Sequence, residues 1–437
     1  MTNAAPQRLI ALDVFRGLTI ALMFTVNNPG TWSFIYAPLE HAKWSGWTPT
    51  DFVFPFFLFT VGVSAWFSLK KYQGGAPRDL YFKIIKRGTM IFLIGLGLNL
   101  YLNNLTTYQN LRIMGVLQRI GIAYMLGSMI CVSFSRRTVA MIAAGILFGY
   151  WGLMYFFSDP NYPFGFHDGI NYLGVEGNIV TKFDWFLLGK SHLYKGYGGI
   201  PFDPEGLLST IPAIASVILG YFTGLLIDSK SDRKDLVKAL FTYGLGALIV
   251  GTLWGGFHIY DKFSFYPLGK LSFPINKPIW SSSYVVFMAG WCLVINAALI
   301  WLIDVQNYRN WTKPVLVLGM NSMLAFVISG MYVKTAAKFK FDSSYETVTQ
   351  KWDNQTVPKR IGMSQKLYED VFCPITTDRQ MLSDYKAGKI TEKTTPSVFY
   401  DFEARQKLSS FLAALFYVAL FWAILWVFYK FDIFLKV

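Results

Sequence analysis

Ten apolar runs dominate this chain, at residues 9–28, 50–69, 83–102, 114–134, 138–157, 208–227, 237–256, 281–303, 313–334 and 408–430. Each is close to the roughly 20 residues that a helix needs to cross a bilayer. Lipid offers the backbone no water, so such runs must satisfy their own hydrogen bonds as helices. The expected fold class is an all-α membrane protein, a polytopic bundle of about ten transmembrane helices. Only 15% of the 437 residues are charged, against about 25% in soluble domains. Aromatic residues make up 18%, which suits belts at the two membrane interfaces. A net charge of +14 would fit nucleic acid if it formed one patch. The cations lie instead between the apolar runs, so the expected partner is the lipid bilayer and not nucleic acid.

The same cations set the orientation. Arg8, Lys70, Lys71, Arg78, Lys83, Lys86, Arg87, Arg136, Arg137, Lys230, Arg233, Lys234, Lys238, Arg309, Lys313, Lys430 and Lys436 fall on one side of the membrane. The short connections on the other side hold Lys43, Arg112, Lys262, Lys270 and Lys277. Cytoplasmic connections carry the excess of Lys and Arg, so both termini are expected in the cytoplasm. The expected setting is the plasma (inner) membrane. Two long segments, about 158–207 and 335–407, then lie outside the cytoplasm. Their Gly, Pro, Asn, Asp and aromatic content suits packed lids over a single transmembrane domain spanning 1–437. No small-residue cleavage site follows the first run, which is expected to stay as helix 1. Cys131 and Cys292 sit in apolar runs and Cys373 in a polar loop, so neither a disulfide framework nor zinc spacing is present.

A charge in the hydrocarbon core costs at least ~2.5 kcal/mol and needs a reason. Helix 1 carries Asp13, Arg16 and Asn27. At 100° per residue, Arg16 and Asn27 lie roughly 300° and 320° around from Asp13, so the three share a stripe. Asp13 and Arg16 are spaced i,i+3 and can pair, which would orient helix 1. Asn27 stands at the extracytoplasmic end, just before a segment that runs through His41 to Thr48-Pro49-Thr50-Asp51. Thr48 or Thr50 can cap helix 2, and Asp51 suits its positive N-terminus; Asp51 could be no more than that cap. The four histidines, His41, His167, His192 and His258, all fall on the extracytoplasmic side. No pair has the i,i+4 spacing of a helical metal site, so no metal is expected. Arg119 enters helix 4 by about six residues and needs an anionic partner, either structural or a ligand. Asn276-Lys277 before helix 8 and Asn321-Ser322 inside helix 9 could line a polar cavity or bond between helices.

These residues resemble a known family. Leu12-Asp13-Val14-Phe15-Arg16-Gly17, Val26-Asn27, His41-Ala42-Lys43-Trp44-Ser45-Gly46 and Asp51-Phe52-Val53-Phe54-Pro55-Phe56 come first. Gly115-Val116-Leu117-Gln118-Arg119, Asp203-Pro204-Glu205-Gly206, Asn276-Lys277 with Trp280-Ser281, and Gly319-Met320-Asn321-Ser322 follow in the same order. Together they are similar to the catalytic domain of the heparan-alpha-glucosaminide N-acetyltransferase family and to its bacterial relatives, some described as N-acetylglucosamine-related transporters.

The resemblance implies acetyl-CoA as co-substrate, entering from the cytoplasm, and an amino sugar of glucosamine type on the far side. It implies His41 as the catalytic residue with Asn27 beside it in function. On this reading His41 removes a proton from the amine, Asn27 donates its amide N–H to the developing oxyanion and Asp51 orients the His41 ring. Lys70, Lys71, Arg136 and Arg137 are candidates for the CoA phosphates, and Arg119 for the CoA moiety. Trp44, Lys277 and Asn321 are candidates for the sugar. Transfer within a ternary complex is the preferred route over an acetyl-histidine. A homodimer is left open. The rival reading is a transporter that moves the sugar without chemistry.

Overall fold

The computed structural model describes residues 9–72, 76–102, 109–158, 174–197, 199–259, 263–349, 356–386 and 388–435. The chain divides into two compact units. Among the described residues, the first holds those up to Thr19 and His41–Gly319; the second holds Ile20–Glu40 and Met320–Leu435.

In the first unit, α1 (Ile10–Asn27) contributes its first half. It is followed by α2 (Val53–Leu69), α3 (Arg78–Leu100), α4 (Val116–Ser133), α5 (Arg136–Phe157) and the short α6 (Ile179–Leu188). Then come α7 (Thr210–Ser229), α8 (Arg233–Gly255), a small hairpin of β1 (Phe257–Ile259) and β2 (Phe263–Phe265), α9 (Ser282–Ile300) and α10 (Thr312–Met320). The starts of these helices follow from their sequence. Ser135, Asn178, Asp232 and Ser281 each accept a backbone N–H in the first turn of α5, α6, α8 and α9. Small residues let the spanning helices touch backbone to backbone, since lipid supplies no hydrophobic drive for their association. A Cβ at Gly62 of α2 would stand 2.0 Å from the Val217 carbonyl oxygen, and one at Gly220 of α7 would stand 2.1 Å from that of Phe59. Large apolar side chains such as Phe148 and Ile249 point outward, as a lipid-facing surface requires.

The second unit holds the end of α1, α11 (Ser322–Lys338), a hairpin of β3 (Lys340–Thr349) with β4 (Thr356–Gly362), the short α12 (Met363–Leu367), α13 (Cys373–Thr376) and α14 (Arg379–Lys386), and the long α15 (Pro396–Lys430). Its polar part has a core of its own: Tyr368, Cys373, Leu382, Phe402 and Ala413 pack together. Apolar burial thus organises the part of the 335–407 segment that carries Tyr368, Cys373, Leu382 and Phe402. Phe24 of α1 lies 4.7 Å from Phe421 of α15, ring centre to ring centre, and the Gly30 amide donates to the Ser410 carbonyl.

The all-α polytopic class holds. Among the described residues, eight helices are long and apolar enough to cross a membrane, nine if α10 and α11 together count as one. Three details differ from the sequence reading. The 83–102 run is helical within α3, but Lys83, Lys86 and Arg87 leave it outside that set. The 313–334 run is interrupted at Asn321, whose Oδ1 accepts from the Leu435 amide and whose Nδ2 donates to the Ile433 carbonyl. Cys373, expected in a polar loop, is buried within 3.3 Å of the Gln406 amide.

Candidate active site

The segment between α1 and α2 positions the first two site residues. Pro49 at the start of a 3-10 turn and Thr48 before it wind the chain into α2. Thr48 and Asp51 form a reciprocal capping box: the Thr48 amide donates to Asp51 Oδ2 at 3.1 Å. The Ala42 amide donates to that same oxygen at 3.1 Å and the Thr48 hydroxyl at 3.2 Å. The other carboxylate oxygen, Oδ1, stands 2.7 Å from His41 Nδ1. The cap foreseen for Asp51 and the orienting role foreseen for it are therefore the same side chain. Asp51 is buried, whereas the His41 side chain is 53% exposed, so the ring is open to a substrate on its far side. A carboxylate accepts from a ring N–H, which assigns the proton to Nδ1 and leaves the Nε2 lone pair free as a base.

Lys277 completes the group. Its Nζ lies 3.3 Å from Asp51 Oδ1 and 3.1 Å from His41 Nδ1. The turn that holds it is tightly built. Asn276 Oδ1 accepts from the Ile279 amide, the Trp280 amide donates to the Lys277 carbonyl, and the Ser281 amide to that of Asn276. Trp280 adopts φ 52°, a strained value for a bulky residue. Burial of its ring holds it there: Nε1 donates to Ser216 Oγ at 3.2 Å, and Phe54 and Tyr284 pack edge-on at 4.8 and 5.2 Å. The Gly46 amide donates to the Ile275 carbonyl, tying the two segments of the site to each other. Tyr284 of α9 adds a hydrogen bond of 2.6 Å to the Asp51 carbonyl.

A second polar cluster adjoins this one. Arg112 takes Asp203 in a bidentate grip, Nε to Oδ2 at 2.8 Å and Nη2 to Oδ1 at 2.6 Å, and also contacts Glu205. Burial alone would lower the Arg112 pKa, but the two carboxylates outweigh it and raise it. Asp184 Oδ1 accepts from the Leu207 and Leu208 amides, while burial pushes its carboxyl up to about 7. Only glycine fits at 206, where a Cβ would stand 1.8 Å from Asp184 Oδ2. The Asp-Pro-Glu-Gly motif thus has a physical reading in this chain: two anions for Arg112 and a bare backbone against Asp184. Tyr197 stands between the clusters. Burial raises the pKa of its hydroxyl most, followed by the charges of Glu205 and Asp51.

The other expected residues are distributed as follows. Trp44 is 2% exposed and packs on Tyr197 and Phe202 at 5.7 and 5.4 Å, anchoring the His41 segment in the core. Arg119 is fully buried; its Nη2 donates to the Gly206 carbonyl and contacts Ser209, and its guanidinium lies 5.1 Å from the Trp280 ring. Asp13 and Arg16 form the foreseen pair at 3.5 Å, and Arg16 also donates to Ser64. Lys70 pairs with Asp228 at 2.7 Å, Lys71 lies over Tyr72 and Arg136 over Trp66. Arg137 is exposed. Asn27 and Asn321 belong to the second unit. His167 and Lys262 lie outside the described residues.

Towards the other end of α2 is a cavity of about 890 Å³, lined among others by Asp13, Arg16, Ser64, Asp228, Lys230 and Arg233. It follows α2 from Ser68 to Phe59, about 13 Å at 1.5 Å per residue. Asp184 was not singled out in the sequence, Glu205 stood there only within a motif, and Arg112, Lys230 and Arg233 only as signals of orientation. Arg112 was one of only five cations in the short connections on its side, and that scarcity was a usable signal.

Residues 8–187 match the family model described as the catalytic part of heparan-alpha-glucosaminide N-acetyltransferase. The chain is similar to the heparan-alpha-glucosaminide N-acetyltransferase of Homo sapiens, 30% identical over 373 residues that cover 74% of this chain and 53% of the relative. It is 30% identical to the Mus musculus protein of the same name over 368 residues, covering 74% of this chain and 54% of the relative. The chain therefore spans about half the length of the curated relatives it matches. The match to the family model contains His41 and Asp51, the two residues joined at 2.7 Å. Through residues 8–187, the chain is similar to the heparan-alpha-glucosaminide N-acetyltransferase catalytic family.

Proposed function

We propose that this chain is a transmembrane N-acetyltransferase that moves an acetyl group from cytoplasmic acetyl-CoA to the amine of an extracytoplasmic amino sugar. The observation that carries the reading is the 2.7 Å contact of the half-exposed His41 ring with the buried Asp51 carboxylate. Asp51 holds the Nδ1–H tautomer, and His41 Nε2 takes the proton that the sugar ammonium must lose before it becomes a nucleophile. Lys277 balances the charge of Asp51, so the carboxylate stays buried and ionised. Trp44 and the strained turn at Trp280 hold the two segments rigid, which keeps the base within reach of the amine. The relatives' printed names support an N-acetyl transfer to a glucosaminide.

Acetyl-CoA supplies the acetyl group as an activated thioester. The cavity beside Arg16, Lys230 and Arg233 fits its anionic phosphates, with three cations against the carboxylates of Asp13 and Asp228. Lys230 and Arg233 belong to the cation-rich side of the chain, which the charge bias places in the cytoplasm. The cavity and the His41–Asp51 pair lie toward opposite ends of α2, which suits a donor and an acceptor arriving from opposite faces. Lys70 and Arg136, gathered with Trp66 around Asp228, border that end and steer phosphate toward it. The test is to incubate the purified protein with labelled acetyl-CoA and glucosamine. Labelled N-acetylglucosamine is the expected product, and its absence with folded protein overturns the reading.

A further inference from the structure

A second cavity, of about 340 Å³, begins at the catalytic segment itself. Ser45 and Gly46 edge it just after His41, and Ile275 edges it just before Lys277. From Gly255, the last residue of α8, it follows that helix down to Leu248, about 10 Å at 1.5 Å per residue. It therefore starts at the level of the dyad and descends among the spanning helices. Its walls are Trp47, Leu248, Thr252, Ile275, Phe287 and Trp291, so a guest meets mostly carbon. Trp47 stacks on Phe52 at 5.3 Å and stands 5.9 Å from Trp291, which makes the mouth rigid and aromatic. Ser45, Thr252 and Tyr266 add hydroxyls to the lining, and the Trp291 Nε1–H, buried away from the open space, has no hydrogen-bond partner among the described residues. A buried indole donor normally finds an acceptor.

We propose that this crevice holds the hydrocarbon chain of an amphiphilic acceptor, so that the amino sugar offered to His41 is the headgroup of a lipid-linked molecule. The inference rests on the acetyltransferase reading and names its substrate class. A free sugar would have no use for a carbon-walled channel adjoining the base. An amphiphile uses each part: the amine meets His41 and the chain descends between α8 and α9. The crevice begins beside the His41 segment, so one molecule can place its headgroup at the base and its chain among the helices.

The test compares glucosamine with octyl 2-amino-2-deoxy-glucopyranoside as acceptors for the full chain in lipid nanodiscs. The octyl compound is expected to have a KM at least tenfold lower. Partition into the bilayer alone could lower KM, so two variants separate the causes. Thr252→Phe fills the crevice and should remove most of the tenfold advantage while leaving the rate on glucosamine unchanged. Leu253→Phe, on the exposed neighbouring position of α8, should keep the advantage. If Thr252→Phe does not fold, Leu248→Trp fills the same space. Equal KM values for the two acceptors, or an advantage that survives the filling variants, overturn the crevice while leaving acetyl transfer intact. Absence of transfer to either acceptor overturns both readings.

Discussion

Asp51→Asn is the most informative single change at this site, because the carboxylate divides its duties between two oxygens. Oδ2 receives the Ala42 and Thr48 amides and the Thr48 hydroxyl, and Oδ1 faces His41 Nδ1 and Lys277 Nζ. An asparagine keeps one oxygen. Three donors at Oδ2 hold that oxygen in place, so the amide NH₂ turns toward His41 and Lys277. The NH₂ then donates to Nδ1, the ring proton moves to Nε2, and the base is blocked. Acetyl transfer should fall by a factor on the order of 10³–10⁴, the scale expected when a catalytic histidine is held in the wrong tautomer. The cap survives, so the loss of stability should be limited to the charged contacts, about 1–3 kcal/mol. The assay is initial-rate acetyl transfer to glucosamine at saturating acetyl-CoA, with thermal unfolding as the control for folding. A folded Asp51→Asn protein within about threefold of the parent rate would show that the dyad does no chemistry.

The remaining expectations test other parts of the molecule. His41→Ala should retain folding, as the ring is half exposed, and lose transfer by about 10²–10⁴, read in the same rate assay. Arg233→Ala should raise the acetyl-CoA Kd about tenfold by calorimetry, the worth of one partly exposed phosphate contact, with the effect fading at high salt. Asp184, held up at about 7 against an ordinary value of 3.8, favours its protonated form when folded. Its contribution to stability is complete below about pH 4 and is lost as pH rises through 7, so Asp184→Asn should flatten the fall in melting temperature across that window. Gly220→Leu should destabilise the first unit by several kcal/mol in denaturation, since even a Cβ there meets the Phe59 carbonyl at 2.1 Å.

Much of this was legible locally. Runs of about 20 apolar residues specify helices whatever their tertiary partners, because lipid leaves the backbone no alternative. The Thr48–Asp51 cap is a four-residue pattern and could be read directly, as could the i,i+3 pair of Asp13 and Arg16. What local reading leaves out is non-local. Lys277 reads as a sugar ligand in a loop, and nothing near it in sequence shows that it also meets a carboxylate 226 positions earlier. Arg112 is an ordinary loop cation until Asp203 and Glu205 fold back onto it. The interruption at Asn321 is invisible to hydropathy, which runs apolar on both sides, and it stands because the chain end supplies partners for that amide. The cations of the large cavity were counted for orientation only, since nothing in their spacing shows that Lys230 and Arg233 reach the same hollow as Arg16.

The double duty of Asp51 has a consequence for how this site behaves when warmed. Terminal turns of helices open more readily than their middles, often by small free energies. In most proteins such fraying is harmless. Here the first turn of α2 and the orientation of His41 share one carboxylate, so each excursion that unwinds the turn also releases the imidazole. On the proposed mechanism, the fraction of molecules able to react at any instant follows the fraction with that turn wound. Activity should therefore decline with temperature before the bundle melts, along the local opening curve of a single helical turn. Hydrogen exchange at the Asp51 amide, which donates to the Thr48 carbonyl at 2.9 Å, would track the loss of rate more closely than any probe of global unfolding.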